Sequence, residues 1–428
     1  MCQQGELFKP LTRTERQKEC LRAWVGHKCI GSIVATTGFG KTRCGLMAAQ
    51  LLYKQFPNLK VIVVVPTDTL QKQWISALDS VGLSLNSQVI IINTLIKSKH
   101  ECDLLILDEC HRYASDQNQQ VFTLVKYRFI LGLSATMERL DGRHVLFDKY
   151  CPVVDRIYDA EAIANGWVAK SVEYKVILDV DDIDQYKALN KEFNEHFEFF
   201  NYDFKLAMSM IGEKGFVNRA KLRDEMCNGN KQLDRTECFR TITYHAMEFN
   251  RRMQERKKFI NKHPLKLELT REIIRHRPNA KIITFSATTE IAESIGIGYV
   301  YTGKDSKKKG RTTLDEFAKA QSGVLNTVKK CDEGLDCPGI NTAIILGYDS
   351  SPTRYKQRKG RAIRKEGDKI SELFTFVIND TVENEWFKKS HGSNTEVIPI
   401  DAENLMKVLR GEPYETYRRP VKQFTFHF

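Results

Sequence analysis

Runs rich in Val, Ile and Leu recur at residues 29–36, 60–65, 88–92, 103–108 and 128–133. Most are separated by stretches with helical patterning, such as Thr42 to Tyr53 and Thr67 to Leu78. Short strands that are apolar throughout and alternate with helices predict a parallel sheet covered on both faces. The pattern returns at 280–285, 298–301, 322–326, 342–346 and 372–377. The expected fold class is therefore α/β, with one parallel-sheet domain over 1–170 and a second over 263–398.

The stretch between them, 171–262, has a different texture. Residues 171–180 (SVEYKVILDV) predict a linker strand, and from Ile183 to Lys262 the chain turns polar and helical. Ile242, Ala246, Phe249 and Met253 recur at steps of four, three and four, which makes one apolar helix face. We expect a helical insertion between the two sheet domains, with a nucleic-acid contact as its candidate role. Its segment FNEHFEFFNYDF brings Phe193, Phe197, Phe199, Phe200, Tyr202 and Phe204 together. These aromatics read first as the core that such a module needs, and second as a platform for stacking on bases. Arg251–Lys258 and Lys304–Arg311 read either as phosphate contacts or as solvated basic faces. The tail 399–428 is basic, with Phe424, Phe426 and Phe428 alternating near its end.

A length of 428 residues allows two to four domains. The formal net charge of +12 favours a polyanionic partner, nucleic acid or an anionic membrane surface. No run of about 18 apolar residues predicts a membrane span, and Met1 to Arg22 lacks the apolar core of a signal peptide. The expectation is a cytoplasmic protein without a membrane partner. The 11 cysteines are scattered with no C-x-x-C pair, so zinc sites and disulfide frameworks are not expected. Cys29, Cys44, Cys110 and Cys337 read as small buried apolar residues.

Residues 35–42 read A-T-T-G-F-G-K-T, between a predicted strand and a predicted helix. A phosphate-binding loop requires that context. Thr37, Gly38 and Gly40 would let main-chain N–H groups point at phosphates, with the helix N-terminus behind them. Lys41 would reach the β- and γ-phosphates, and the Thr42 hydroxyl would ligate Mg2+. Residues 104–111 read L-L-I-L-D-E-C-H. Two carboxylates emerge there from an apolar strand, at the sheet edge where α/β ligand sites lie. Asp108 would hold Mg2+, Glu109 would polarise the attacking water, and His111 would sense the γ-phosphate. ATP and Mg2+ are the expected cofactors.

With these residues in place, the chain resembles superfamily 2 helicases of the D-E-x-H type. Within that superfamily it looks like the phage branch-migration helicases and the XPB repair-helicase group. The resemblance covers about residues 11–390 and implies that both sheet domains are RecA-like. Ser134-Ala135-Thr136 looks like the motif that couples hydrolysis to domain movement. Pro66 and Thr67, followed by Leu70, Gln73 and Trp74, look like a nucleic-acid backbone contact, with Thr94 as a further one. Phe285, Ser286, Thr302, Gly303 and Thr327 match backbone-gripping positions of the second domain, and Gly334 and Asp336 a ribose contact. Residues 357–364 read Q-R-K-G-R-A-I-R, and Gln357, Arg361 and Arg364 at i, i+4, i+7 share one helix face. The resemblance makes the two arginines fingers for the transferring phosphoryl group. An upstream adenine contact is represented by Gln17, with Arg16 where an aromatic is common, so Arg16 is expected to stack on the base.

The expected activity is an ATP-driven DNA helicase or translocase on single strands, forks or junctions. Its expected setting is branch migration, replication or recombination, as a monomer and in a viral or phage context (then in the host cytoplasm). The resemblance implies 3′-to-5′ movement. An RNA helicase, a duplex translocase without strand separation and an inactive scaffold are the competing readings.

Overall fold

The structure is a computed structural model. It describes residues 11–137, 142–168, 170–229, 232–302, 307–328, 337, 339–347, 355, 358, 370–391 and 397–419. Eight strands belong to the first half: β1 (Ile30–Ala35), β2 (Val61–Val65), β3 (Ser87–Ile91), β4 (His100–Glu101), β5 (Leu104–Asp108), β6 (Val125–Lys126), β7 (Phe129–Ser134) and β8 (Val153–Ile157). Six of them form one sheet in the order β3-β2-β5-β7-β1-β8. Its pairings are parallel throughout. All residues of β2 and of β5 are buried, which is why these strands are apolar without alternation. Helices Arg13–Gly26, Lys41–Gln55 and Asp68–Ser80 cover one face around Trp24, Ala48 and Trp74. Tyr113, Phe122 and Phe147 fill the other face. Burial of each large side chain contributes roughly 1.5–3 kcal/mol. Thr12 starts the first helix with a reciprocal cap to Glu15.

The second half adds β9 (Ser171–Leu178), β10 (Lys281–Ser286), β11 (Tyr299–Tyr301), β12 (Gly323–Val328), β13 (Thr342–Ile345), β14 (Ser371–Ile378) and β15 (Ile398–Ile400). They form a seven-stranded sheet in the order β11-β12-β10-β13-β14-β9-β15. Here the structure differs from the sequence-based division. The expected linker strand is an inner strand of the second sheet, paired with β14 from Ser171↔Ser371 to Leu178↔Ile378. The start of the expected tail also belongs there. β15 pairs with β9, and helix Ala402–Arg410 buries Leu405, Val408 and Leu409 in the second core. Phe424, Phe426 and Phe428 lie outside the described residues.

The helical insertion forms over Ile183–Glu198, Phe204–Ser209, Gly215–Gly229 and Arg235–Lys262. The predicted face Ile242, Ala246, Phe249 and Met253 is buried with Phe193 and Phe200. The Phe249 ring centroid lies 5.0 Å from that of Phe193 and 5.3 Å from that of Phe197. The core reading of the aromatic segment therefore holds for most of it, while Tyr202 and Phe204 remain more than half exposed. Two arginines of the basic cluster on this module are matched by its own carboxylates, and a third lies on an aromatic ring. Arg251 pairs with Glu248, Arg252 pairs with Glu192 and Glu255, and the Arg256 guanidinium sits 4.1 Å over Phe193. Cys29, Cys44, Cys110 and Cys337 are buried, as the sequence suggested.

Candidate nucleotide and nucleic-acid site

β5, β7 and β1 are neighbours, so their C-terminal ends bring three motifs to one sheet edge. After β1 the chain turns through Gly38 (φ +90°) and Gly40 (φ +95°) into helix Lys41–Gln55. That left-handed region disfavours side chains, so the loop needs glycine at both positions. A Cβ at Gly40 would also meet Gln17 Nε2 at 2.7 Å. Lys41 Nζ donates to Ala35 O across the loop at 3.1 Å. Thr37 and Thr42 are half-buried beside it.

Asp108 ends β5 with its side chain buried. Its Oδ2 accepts from Trp74 Nε1 at 2.8 Å and its Oδ1 from Glu109 N at 3.0 Å. Burial, reinforced by the charge of Glu109, pushes the Asp108 carboxyl up to about 6, against the Trp74 hydrogen bond. Glu109 adopts a left-handed backbone (φ +49°), which costs on the order of 1 kcal/mol and turns it out of the strand direction. Its Oε2 is buried, 3.5 Å from His111 Nδ1, without a hydrogen bond among the described residues. His111 Nδ1 is 2.9 Å from Ser134 Oγ, which itself donates to Thr136 O. Two motifs distant in sequence are thus one hydrogen-bonded chain, His111–Ser134–Thr136, with Ala135 in its turn.

Gln17 is buried, with Nε2 donating to Phe39 O at 2.8 Å and Oε1 without a partner among the described residues. An orphaned acceptor at that position suits an exocyclic amine such as that of adenine. Arg16 does not fit the stacking role expected of it. Its guanidinium is held by Asp155 at 2.5 and 2.9 Å and by Glu161 at 2.7 Å. The side chain is only 12% exposed, so it acts as an ion-pair anchor and shows little surface to a base. The sequence reading missed these partners because β8 (VVDRI) carries charges and resembles no buried strand.

The phosphate loop, the orphaned Gln17 and Glu109 oxygens and the strand-end acids fit a nucleoside triphosphate. Among the described residues no three His, Cys, Asp or Glu side chains cluster as a metal cage. Mg2+ does not require one, because it takes one or two protein ligands and completes its shell with phosphates and water. Thr42 and Asp108 meet that requirement.

The remaining expected contacts are placed unevenly. Pro66 and Thr67 lie at the C-terminal end of β2, where Thr67 caps helix Asp68–Ser80 through Leu70 N. Thr94 is exposed beyond β3. Phe285 is not on the surface: it is core, with Arg358 stacked 5.3 Å from its ring. Ser286 and Thr302 are buried at strand ends. Thr327 is also buried, its hydroxyl donating to Thr284 O at 2.7 Å, so its side chain is not presented to a strand. β10 is buried at every position and β12 at its four inner ones, so both faces of these strands are covered, which explains both corrections. Gly303, Gly334, Asp336, Gln357, Arg361 and Arg364 lie outside the described residues. Tyr355, just before the 357–364 motif, and Arg358, within it, have contacts that escaped the sequence reading. Tyr355 OH donates to the buried Glu173, and Arg358 donates to Gly347 O at 2.9 Å.

Comparison with known sequences matches residues 11–139 to the family "Type III restriction enzyme, res subunit" and residues 265–366 to the "Helicase conserved C-terminal domain". The two matches fall in order, one on each sheet. The chain belongs to the superfamily 2 helicases. A superfamily 2 helicase uses ATP, and this one is an ATP-hydrolysing enzyme acting with nucleic acid. It is similar to the DNA 3'-5' translocase XPB2 of Sulfurisphaera tokodaii, 27% identical over 86% of this chain and 82% of that protein. It is also similar to the putative ATP-dependent RNA helicase QP509L of African swine fever virus, 30% identical over 32% of this chain and 31% of that one. In fold, the helicase resembles the Pyrococcus furiosus Hef helicase domain (TM-score 0.51, 18% identity), over 88% of this chain and 98% of that one. No described helix is long and apolar enough to cross a membrane.

Proposed function

We propose that this helicase is a DNA-dependent ATPase that steps 3′-to-5′ along one strand and acts on forked or branched DNA. The observation that carries the DNA and polarity assignment is its similarity, over most of both chains, to a DNA 3'-5' translocase. In this reading Lys41 and the loop N–H groups bind the triphosphate, with Gln17 at the base. Mg2+, held by Thr42 and Asp108, supplies charge neutralisation at the phosphates. Glu109 orients the attacking water through its unpaired oxygen, and the His111–Ser134–Thr136 chain carries the state of the site to the neighbouring loop. Arg361 and Arg364 meet the phosphoryl group when the two sheet domains close, with Gln357 beside them. Pro66, Thr67 and Thr94 on the first domain hold a strand backbone, with the loops after β10 and β11 doing so on the second.

Recombination, replication and a viral setting belong to this proposal, as do action as a monomer and a cytoplasmic location. The net charge of +12 supports a polyanionic substrate. The shorter similarity to a putative RNA helicase favours a second reading in which RNA is the activating strand. One panel separates them: phosphate release and strand separation on single strands, blunt duplex, forks, four-way junctions and RNA of equal sequence. Stronger activation by RNA overturns the DNA assignment. Activation by blunt duplex without strand separation replaces helicase action with translocation on duplex.

A further inference from the structure

We propose that Trp74 is a positioning residue that ties the strand-binding helix to the metal-binding carboxylate. It joins the helix behind Pro66 and Thr67 to Asp108, so that strand engagement is felt at the nucleotide. The inference rests on the reading of Asp108 as the Mg2+ ligand and of Pro66 and Thr67 as a backbone contact.

Helix Asp68–Ser80 starts at Thr67, and Trp74 lies two turns further along, about 10 Å at 1.5 Å per residue. Its indole is almost fully buried, with Nε1 donating to Asp108 Oδ2 at 2.8 Å. This is a direct side-chain hydrogen bond from that helix to a strand-end acid, with no water or loop between them.

The far side of the ring carries the second observation. A Cβ on Gly45 would stand 2.5 Å from Trp74 Cη2 and 3.2 Å from Leu133 Cδ1. Gly45 is inside helix Lys41–Gln55, one turn after Lys41 and Thr42. Glycine in a helix interior costs roughly 0.5–1 kcal/mol relative to alanine. Here it opens a slot that lets the indole lie between the phosphate-loop helix and β5. One rigid ring therefore touches the helix of Lys41 and Thr42, the carboxylate of Asp108 and the strand-contact helix. A shift of the last along its axis would move the donor away from Asp108 Oδ2 and rotate a carboxylate that has few other restraints. Among the described residues its other side-chain hydrogen bond is the one from Glu109 N.

Trp74→Phe keeps a ring in the slot and removes the N–H. Two readouts decide, both on the full chain. The first needs no turnover: calorimetric ADP affinity with and without Mg2+. The second is the ratio of nucleic-acid-stimulated to basal ATP hydrolysis. Outer partners of metal ligands typically influence metal affinity about 10–100-fold. We expect Trp74→Phe to lower the Mg2+-dependent gain in ADP affinity by about tenfold and to reduce the stimulation ratio, with metal-free ADP affinity unchanged. A merely structural tryptophan would weaken metal-free binding and the thermal midpoint as well and would leave the Mg2+ gain intact. Gly45→Ala retains the N–H, favours the helix and pushes the indole from behind. It should reproduce both losses, and it keeps the test alive if Trp74→Phe folds poorly. Wild-type Mg2+ gain and stimulation in Gly45→Ala overturn the proposal. A wild-type chain stimulated by neither DNA nor RNA defeats the functional reading instead, while the ADP arm still decides whether Trp74 orients Asp108.

Discussion

The two sheets share a parallel architecture but treat buried charge in opposite ways. At the edge of the first, Glu109 keeps a buried carboxylate oxygen without a hydrogen bond among the described residues, and Gln17 keeps an unpaired amide oxygen. In the second, buried carboxylates are matched. Glu383 accepts from Lys266 Nζ at 2.7 and 2.9 Å with both side chains fully buried. Glu173 accepts from Tyr355 OH and lies 2.6 Å from His391 Nε2. The difference separates a sheet edge where a buried acid keeps an unpartnered oxygen from a sheet whose buried carboxylates Glu383 and Glu173 tie its own elements together. Lys266 also donates to Leu346 O and Arg358 to Gly347 O, so both cations clamp the chain just after β13.

That contrast can be broken experimentally, and the largest effect lies in the first sheet. Lys41→Ala should abolish ATP hydrolysis while nucleic-acid affinity and unfolding midpoint stay near wild type. Turnover and filter binding on one preparation check this, and retained turnover removes Lys41 from the site. Arg361→Ala should lower kcat by about 10³ or more with little change in ATP affinity, because a finger acts at the transition state. A rise in KM alone would make it a binding residue.

Glu383→Ala tests the second sheet. Removing one partner strands Lys266 in the core and should cost about 3–5 kcal/mol in denaturant unfolding. Replacing both by Met and Leu should restore most of it. A loss below about 1 kcal/mol in the single variant would mean that the pair is not a buried clamp.

Acid should affect the two sheets differently. The Asp108 carboxyl, raised to about 6, takes up a proton as pH falls through that value. A raised carboxyl binds protons more readily folded than unfolded, so its protonation does not destabilise the fold between pH 6 and 4. It does remove the charge that Mg2+ needs. The Mg2+-dependent gain in ADP affinity should therefore fall as pH drops below 6 while stability at Asp108 does not, and a gain constant from pH 7.5 to 5 contradicts this. The smallest effect concerns the base. Gln17→Ala should weaken preference for ATP over other triphosphates, whereas Arg16→Ala should leave it unchanged and lower stability modestly. Loss of preference in Arg16→Ala would restore the stacking role.

Most of the fold, and the gathering of the first-domain motifs at one sheet edge, were legible in the sequence, for a physical reason. Fully buried parallel strands such as VIVVV and LLILD announce themselves, and phosphate chemistry demands glycines, lysine and acids at fixed spacing. β8 was missed because an edge strand tolerates Asp155 and Arg156. β9 was taken for a linker because pairing with β14, nearly two hundred residues on, leaves no local mark. Phe285 and Thr327 were misplaced because a motif fixes which loop lies near the ligand, but not which face of the strand a side chain takes. Trp74 carried no signal for Asp108, since the sequence groups it with the strand-contact motif and a helix position does not say which strand end its ring reaches.

The central claim is that Glu109 activates water in a triphosphate site driven by a DNA strand. Steady-state phosphate release by the wild type and by Glu109→Gln, each with and without single-stranded DNA, tests it most directly. The account predicts strong DNA stimulation in the wild type and near-zero release in Glu109→Gln, with DNA still bound. Equal release by the two proteins, or wild-type release indifferent to DNA, would contradict it.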